Sequence, residues 1–153
     1  ENVDDEFIVG LRFSQWKQHD FEAKLAKTPD DLKKVLLPPV EAGLDYLHSS
    51  MRRFWESEFD CSDENLAYWT KKISNIPTVG VGSIGLDSDF IDMTASANPT
   101  SIDRAIKDIS TGKYDLIAVG RALLSDHEWV LKMKEGRLRD VIPYTKEALF
   151  KLY

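Results

Sequence analysis

Four short apolar runs, each bounded by polar or turn-forming residues, punctuate the chain: Phe7 to Phe13 (FIVGLRF), Leu44 to His48 (LDYLH), Thr78 to Val81 (TVGV) and Asp115 to Val119 (DLIAV). Runs of this length and bounding predict β-strands. The segments between and after them show helical spacing with legible caps. Thr28-Pro29-Asp30-Asp31 supplies an N-cap, a proline at the first helical position and two acids in the positive first turn. Leu32, Val35, Leu36 and Val40 then recur at near-helical intervals until Gly43. Pro38-Pro39 lacks two backbone donors inside that stretch, so the helix is predicted to break or restart there. Ser62-Asp63-Glu64 predicts the start of a second helix carrying Leu66, Ala67, Trp69 and Ile73. Ser101-Ile102-Asp103 predicts a third, carrying Ile102, Ala105, Ile106 and Ile109 up to Gly112. Asp126 to Lys134 and Pro143 to Leu152 read as two closing helices.

Strand and helix thus alternate four times, which specifies parallel strands joined by right-handed helical crossovers, an α/β protein. Two architectures satisfy the pattern. One is a small open, doubly wound parallel sheet; the other is half of a TIM-type (βα)8 barrel, whose full length is about 250 residues. The 153 residues allow one domain and hardly more, so 1–153 reads as a single domain. Leu86 to Thr100 (LDSDFIDMTASANPT) has weak periodicity and is expected to be a long, mobile loop.

Composition narrows the partners. Hydrophobic residues at 42% and charged residues at 30% match ordinary packed domains and exclude a disordered chain. A net charge of −6 without a basic stripe opposes a phosphate backbone, so no nucleic-acid partner is expected. The longest apolar stretches fall well short of the roughly 18 to 20 residues that span a bilayer, so no membrane segment is expected. The lone Cys61 can make no internal disulfide and has no CxxC partner, which points to a reducing, cytoplasmic compartment. The chain starts at an acidic Glu1 rather than Met and shows no leader pattern, and it reads as a truncated piece. His19, His48 and His127 lack metal-ligand spacing, and no metal site is expected. Ser14, Ser49 and Ser83 lack a nucleophile elbow, and Cys61 lies between Asp60 and Ser62, where acidic surroundings raise a thiol pKa; none of them is assigned a catalytic role.

In parallel α/β proteins ligands bind beyond the carboxyl ends of the strands. The third run ends in VGVGSIG, containing Gly82 and Ser83, and the fourth ends in Val119-Gly120-Arg121, one strand–helix repeat later. Turn geometry accounts for any one of these glycines. Two such endings on adjacent strands, one with a guanidinium, instead match the phosphate site that barrel enzymes build after their seventh and eighth strands, and predict a phosphate-containing cofactor. At the end of the first run, alternation puts Arg12 opposite Leu11 and Phe13, so it points into a barrel mouth or snorkels on the surface; the residues alone favour the surface. After the second run, His48 to Trp55 (HSSMRRFW) is a loop suited either to anions and planar rings or to covering the core. Trp16, Trp69 and Trp129 are expected in core or interface positions.

The succession GLRFSQW, LDYLHSSMRRFW, IPTVGVGSIGL and DLIAVGRALLSD resembles strands five to eight of the Old Yellow Enzyme family, flavin-dependent oxidoreductases on a TIM barrel, from Phe7 onward. RRFW and VGSIGL resemble the forms of a bacterial branch of NADH:flavin oxidoreductases. The resemblance implies that Arg12 faces the flavin near its pyrimidine edge, where a cation stabilises negative charge on the reduced ring, and this replaces the surface reading. It implies that Gly82, Ser83, Gly120 and Arg121 hold the FMN phosphate. Arg52 to Trp55 border the substrate side and take no single role. Asp126-His127 departs from the family, many of whose members carry a proline after the acidic or amide residue. The family's carbonyl-binding His-His or His-Asn pair and its tyrosine belong to the first half of the barrel, which this sequence lacks. The resemblance therefore implies that the whole protein transfers hydride from NAD(P)H through FMN to an activated alkene or similar small-molecule acceptor, and that this fragment alone is inactive. Four strands leave two open edges, so the expected partner is the N-terminal half of the same barrel or a second copy in a homo-oligomer. The alternative is a non-catalytic half barrel that binds phosphate compounds or assembles with itself.

Overall fold

The computed structural model describes residues 4, 6–17, 20, 22–89 and 96–150. The order of elements is β1 (Gly10–Phe13), α1 (Pro29–Glu41), β2 (Tyr46–Ser50), α2 (Leu66–Ser74), β3 (Thr78–Val81), α3 (Asp103–Ser110), β4 (Leu116–Ile117), α4 (Arg121–Ser125) and α5 (Trp129–Lys134), followed by 3-10 turns at Leu138–Asp140 and Lys146–Phe150. All strand pairs are parallel, and the spatial order β1-β2-β3-β4 repeats the order in the chain. Right-handed crossovers that always step the same way put every connecting helix on one face. A doubly wound sheet reverses its direction of growth to cover both faces. The consecutive order therefore selects the barrel-type arc of four βα units over the open-sheet alternative.

Register separates the two faces. One row runs Arg12, His48, Val79, Leu116 across the sheet, with Ser50 opposite Val81 above it. None of these six is buried, and Leu116 is 59% exposed. The opposite face carries Leu47, Ser49, Thr78 and Gly80, all buried under the helices. There Ser49 Oγ donates to Thr70 Oγ1 at 2.8 Å, and Thr70 Oγ1 donates to the Leu66 carbonyl at 2.8 Å, tying β2 to α2. Asp115 Oδ2 accepts from the Thr78 N–H at 2.7 Å and pairs with Lys71 at 3.0 Å, which fixes the start of β3 beside β4. Leu32, Leu36, Leu66 and Tyr114 fill the layer between sheet and helices.

Several boundaries differ from those read in the sequence. β1 is confined to Gly10–Phe13, β2 starts at Tyr46 and extends to Ser50, and β4 is only Leu116–Ile117. Helix α1 runs unbroken through Pro38 and Pro39, contrary to the expected break. The prolines lie in its last turn, where the carbonyls deprived of a donor belong to Lys34 and Val35 on the exposed side, and the turn still closes through Ala42 N–H to Pro38 O at 3.0 Å. Helix α2 starts at Leu66 because Asn65 caps it, its Oδ1 accepting from Tyr68 N–H at 2.9 Å; Ser62 merely accepts from Glu64 N–H one turn earlier. The region Asp126 to Lys134 becomes helical only at Trp129. Asp126 is buried, accepting from the N–H groups of Glu128 (3.1 Å) and Ile142 (2.9 Å) while Lys132 donates to both its oxygens at 3.0 and 2.9 Å. Burial acts to raise its pKa, but these hydrogen bonds outweigh it and hold the carboxyl below the ordinary value. The last expected helix is the 3-10 turn Lys146–Phe150, and residues 151–153 lie outside the described residues.

Within the expected loop Leu86 to Thr100, the two flanks are joined. Leu86 bridges Pro99, Thr100 N–H donates to Gly85 O at 2.9 Å, and the Asp87 carboxylate accepts from the backbone N–H and side-chain amide of Asn98 at 2.9 and 2.8 Å. Residues 90–95 of this loop lie outside the described residues.

Candidate functional site

Because the strands are parallel and sequential, their carboxyl ends, and the residues just beyond them, gather along one edge of the sheet. A cavity of about 210 Å³ opens there, and Arg12, Gly82, Ser83, Gly120 and Arg121 all line it, together with Ser50 and Arg52. The residues singled out in the sequence are thus brought to one place.

Their geometry differs residue by residue. A Cβ on Gly82 would stand 2.8 Å from the Met51 carbonyl oxygen and 3.0 Å from Met51 Cβ. Gly82 thus lets the loop after β3 press against the loop after β2, where Met51 N–H donates to Val81 O (2.7 Å) and Phe54 N–H to Gly82 O (3.1 Å). Around Gly120, by contrast, nothing lies within 4 Å of a Cβ position. Ser83 adopts a left-handed backbone with φ 51°, and its Oγ lies 3.2 Å from Arg52 O and 3.0 Å from Ser88 O, sharing one proton between them. Among the described residues, no acceptor takes the backbone N–H of Gly82, Ser83, Gly120 or Arg121. Unmatched N–H groups beside a concave, cationic surface are the elements of an anion-binding nest.

The Arg121 guanidinium donates to Ser88 O and, at 3.1 Å, to Asp89 O, and stands 5.2 Å above the Tyr144 ring. Burial lowers its pKa, opposed by Tyr144, Asp89 and Asp87, and it stays cationic at neutral pH. Arg12 stands on the sheet face turned away from the helices and donates to Ser50 Oγ at 3.1 Å. Its register partner His48 has a lowered pKa, first through burial and then through the Arg12 charge, and its Nε2 is buried without a partner.

The loop after β2 supplies two further arginines. Arg52 Nε pairs with Asp89 Oδ2 at 2.8 Å, Arg53 reaches the same oxygen at 3.1 Å, and Arg53 also pairs with Glu56 at 2.7 Å. Trp55 packs edge-on against Phe54, with ring centroids 5.3 Å apart. Beside the first cavity lies a second of about 140 Å³, lined by Arg52, Arg53, Gln15 and Glu58. Burial raises the Glu58 pKa, countered by Lys24 and by a hydrogen bond from Gln15 at 3.1 Å. Sequence reading assigned nothing to Asp89 or Glu58, and named Ser50 only as part of the loop His48 to Trp55, without a role of its own. Ser50 could have been found by extending the β2 alternation by two residues; Asp89 lies in an aperiodic loop, where no pattern points to it. Among the described residues, no group of three or more His, Cys, Asp or Glu side chains could hold a metal ion, and Cys61 is exposed. His19 lies outside the described residues.

No family model matches the chain. It is 32% identical over 149 residues to an NADH oxidase of Thermoanaerobacter brockii, a match covering 92% of this chain and 20% of that protein. It is 28% identical over 141 residues to an NADH:fumarate oxidoreductase of Klebsiella pneumoniae (strain 342), covering 88% of this chain and 13% of that protein. The chain therefore spans a fifth or less of the length of these curated relatives. Among solved structures, morphinone reductase in complex with tetrahydroNAD superposes with a TM-score of 0.55 at 13% identity, covering 84% of this chain and 29% of that one. A variant of the same enzyme superposes at 0.54 and 13% identity, covering 90% and 30%. These neighbours are TIM barrels, and the likeness is one of fold, consistent with half a barrel. No helix among the described residues is long and apolar enough to cross a membrane. In sequence the chain is thus similar to NADH-linked oxidoreductases, and in fold to part of a TIM-barrel reductase.

Proposed function

We propose that this chain supplies the FMN-binding part of an NAD(P)H-dependent oxidoreductase of the Old Yellow Enzyme type. One observation carries the reading: Arg12, Gly82, Ser83, Gly120 and Arg121 converge on a single cavity at the carboxyl ends of the strands. The fit to a phosphate monoester rests on the donors present. The unmatched N–H groups of Gly82, Ser83, Gly120 and Arg121 offer hydrogen bonds to a dianion, Gly120 leaves open space for it, and the Arg121 guanidinium adds charge. FMN, when bound, supplies the hydride chemistry. Arg12, on the face away from the helices and held by Ser50, is the cation for the ring system; neutral His48 beside it adds no competing charge. The electron donor is NAD(P)H and the acceptor an activated alkene or similar small molecule.

The uncovered sheet face and its two open edges suit the remaining strands of a barrel, supplied by a longer protein or by a second copy. Without donors from those strands aimed at the acceptor, the isolated chain is expected to be inactive on a cyclic enone with NAD(P)H and FMN, since one such donor is worth about a hundredfold or more.

The decisive test compares FMN with riboflavin by fluorescence titration of the purified protein. Binding of FMN well above that of riboflavin is expected. Equal binding of the two, or binding of neither, overturns the phosphate assignment.

A further inference from the structure

Three guanidinium groups converge on one dipeptide of the segment after β3. The Asp89 carboxylate, in a residue only 8% exposed, holds Arg52 at 2.8 Å and Arg53 at 3.1 Å, while the carbonyls of Ser88 and Asp89 take two donors of Arg121. Ser83 Oγ, in a residue that lines the cavity, donates toward the same Ser88 carbonyl at 3.0 Å. The dipeptide stays in position because its base is clamped by the Asp87 to Asn98 hydrogen bonds. Arg52 and Arg121 line the candidate phosphate cavity, and Arg53 lines the adjoining one.

We propose that Asp89 sets the affinity of this cavity for anions by acting as an internal counter-anion to its arginines. The inference rests on the anion-site reading above and goes beyond it by assigning a residue that neither the family resemblance nor the sequence pattern selects. Charge and competition for donors act together here. A phosphate dianion entering beside Ser83 and Arg121 meets the Asp89 carboxylate as a like charge. It also finds Arg52 already engaged and part of Arg121 committed to loop carbonyls. Both effects have the same sign, so neutralising Asp89 strengthens anion binding. Removing one unit charge about 4 Å away changes anion affinity from about fivefold in bulk water to about a thousandfold at an effective dielectric of about 20, and for a cavity open to solvent the gain lies toward the lower end, about tenfold. A purely structural role for Asp89, fastening the two loops so that the nest keeps its shape, has the opposite sign: its loss weakens binding.

The experiment titrates FMN, with riboflavin as the uncharged control, into wild type, Asp89→Asn and Arg53→Gln. Asp89→Asn is expected to bind FMN about tenfold more tightly, with riboflavin unchanged and with a gain that shrinks as salt rises. Arg53→Gln, which strips a cation from Asp89 and lines only the adjoining cavity, is expected to weaken FMN binding several-fold. Asp89→Asn that keeps its circular dichroism and binds FMN no more tightly than wild type overturns the inference while leaving the anion site standing. Should Asp89→Asn fail to fold, Arg53→Gln decides, and unchanged or tighter FMN binding overturns the inference. Wild type that binds neither compound removes the anion-site reading and this inference with it.

Discussion

Arg121 is the residue on which the phosphate reading can be tested most sharply. A guanidinium has five N–H donors. In the structure two are spent on the carbonyls of Ser88 and Asp89, which leaves up to three for an anion in the adjoining cavity. A hydrogen bond to a charged partner contributes about 1.5 to 3 kcal/mol, so Arg121→Ala that removes one such contact should weaken FMN binding about 10- to 150-fold. Arg121→Lys keeps the charge but loses the planar fork that can reach the two carbonyls and still grip a phosphate in two parallel bonds, so it should fall between wild type and alanine. The substitution also leaves the two carbonyls without their donors, and thermal unfolding of each variant separates that effect from the loss of affinity. The assay is quenching of flavin fluorescence, run in parallel with riboflavin. Arg121→Ala that binds FMN as wild type does would refute the reasoning. An equal loss for riboflavin would refute it as well, because the guanidinium would then be serving the fold or the ring rather than the phosphate.

Two further predictions concern the scaffold. Ser49 and Thr70 are fully buried and share a hydrogen bond at 2.8 Å, so Thr70→Val, which strands the Ser49 hydroxyl, should cost about 1 to 3 kcal/mol, and adding Ser49→Ala should restore part of it. Urea denaturation of the four proteins of this cycle measures the coupling, and strictly additive losses contradict the contact. His48 has a folded pKa below its ordinary value of 6.5, so the unfolded chain binds the extra proton; its contribution to stability is present above about pH 6.5 and is lost as pH falls through the folded pKa. His48→Gln should therefore flatten the fall of Tm on acidification below neutrality, and a slope identical to wild type excludes His48 as the titrating group.

Much of the architecture was legible because period and punctuation agree. The TVGV run is strand β3 residue for residue, and Thr28 caps α1, its Oγ1 accepting from Asp31 N–H at 3.2 Å. What the pattern could not weigh was position within an element. Pro38 and Pro39 break a helix when they remove bonds in its interior, but here they fall in the last turn, where the deprived carbonyls face outward. The choice between an open sheet and a barrel arc was illegible in the pattern alone; the resemblance of the four motifs pointed to the barrel, and the strand order agrees. That choice depends on the spatial order of strands, and alternating elements of similar length are compatible with either.

The site divides along the same line. Gly82, Ser83, Gly120 and Arg121 follow strand ends directly, so local order in the chain carried them to the cavity without any knowledge of tertiary contacts. Arg12 required more. Alternation alone gives two faces and no means of saying which is outer, so the residues favoured the surface; the register that aligns Arg12 with His48, Val79 and the exposed Leu116 puts it on the face the helices leave open. Asp89 lies beyond both kinds of reasoning. Its position among arginines depends on a loop whose ends are joined through Asp87 and Asn98, and on Arg52 and Arg53 in a different loop 37 and 36 residues earlier in the chain. An acid in an aperiodic segment is by default solvated, and only the fold brings this one against Arg52 and Arg53. The residues proposed to bind were therefore legible at the strand ends, whereas the residue proposed to tune them arises where two loops meet.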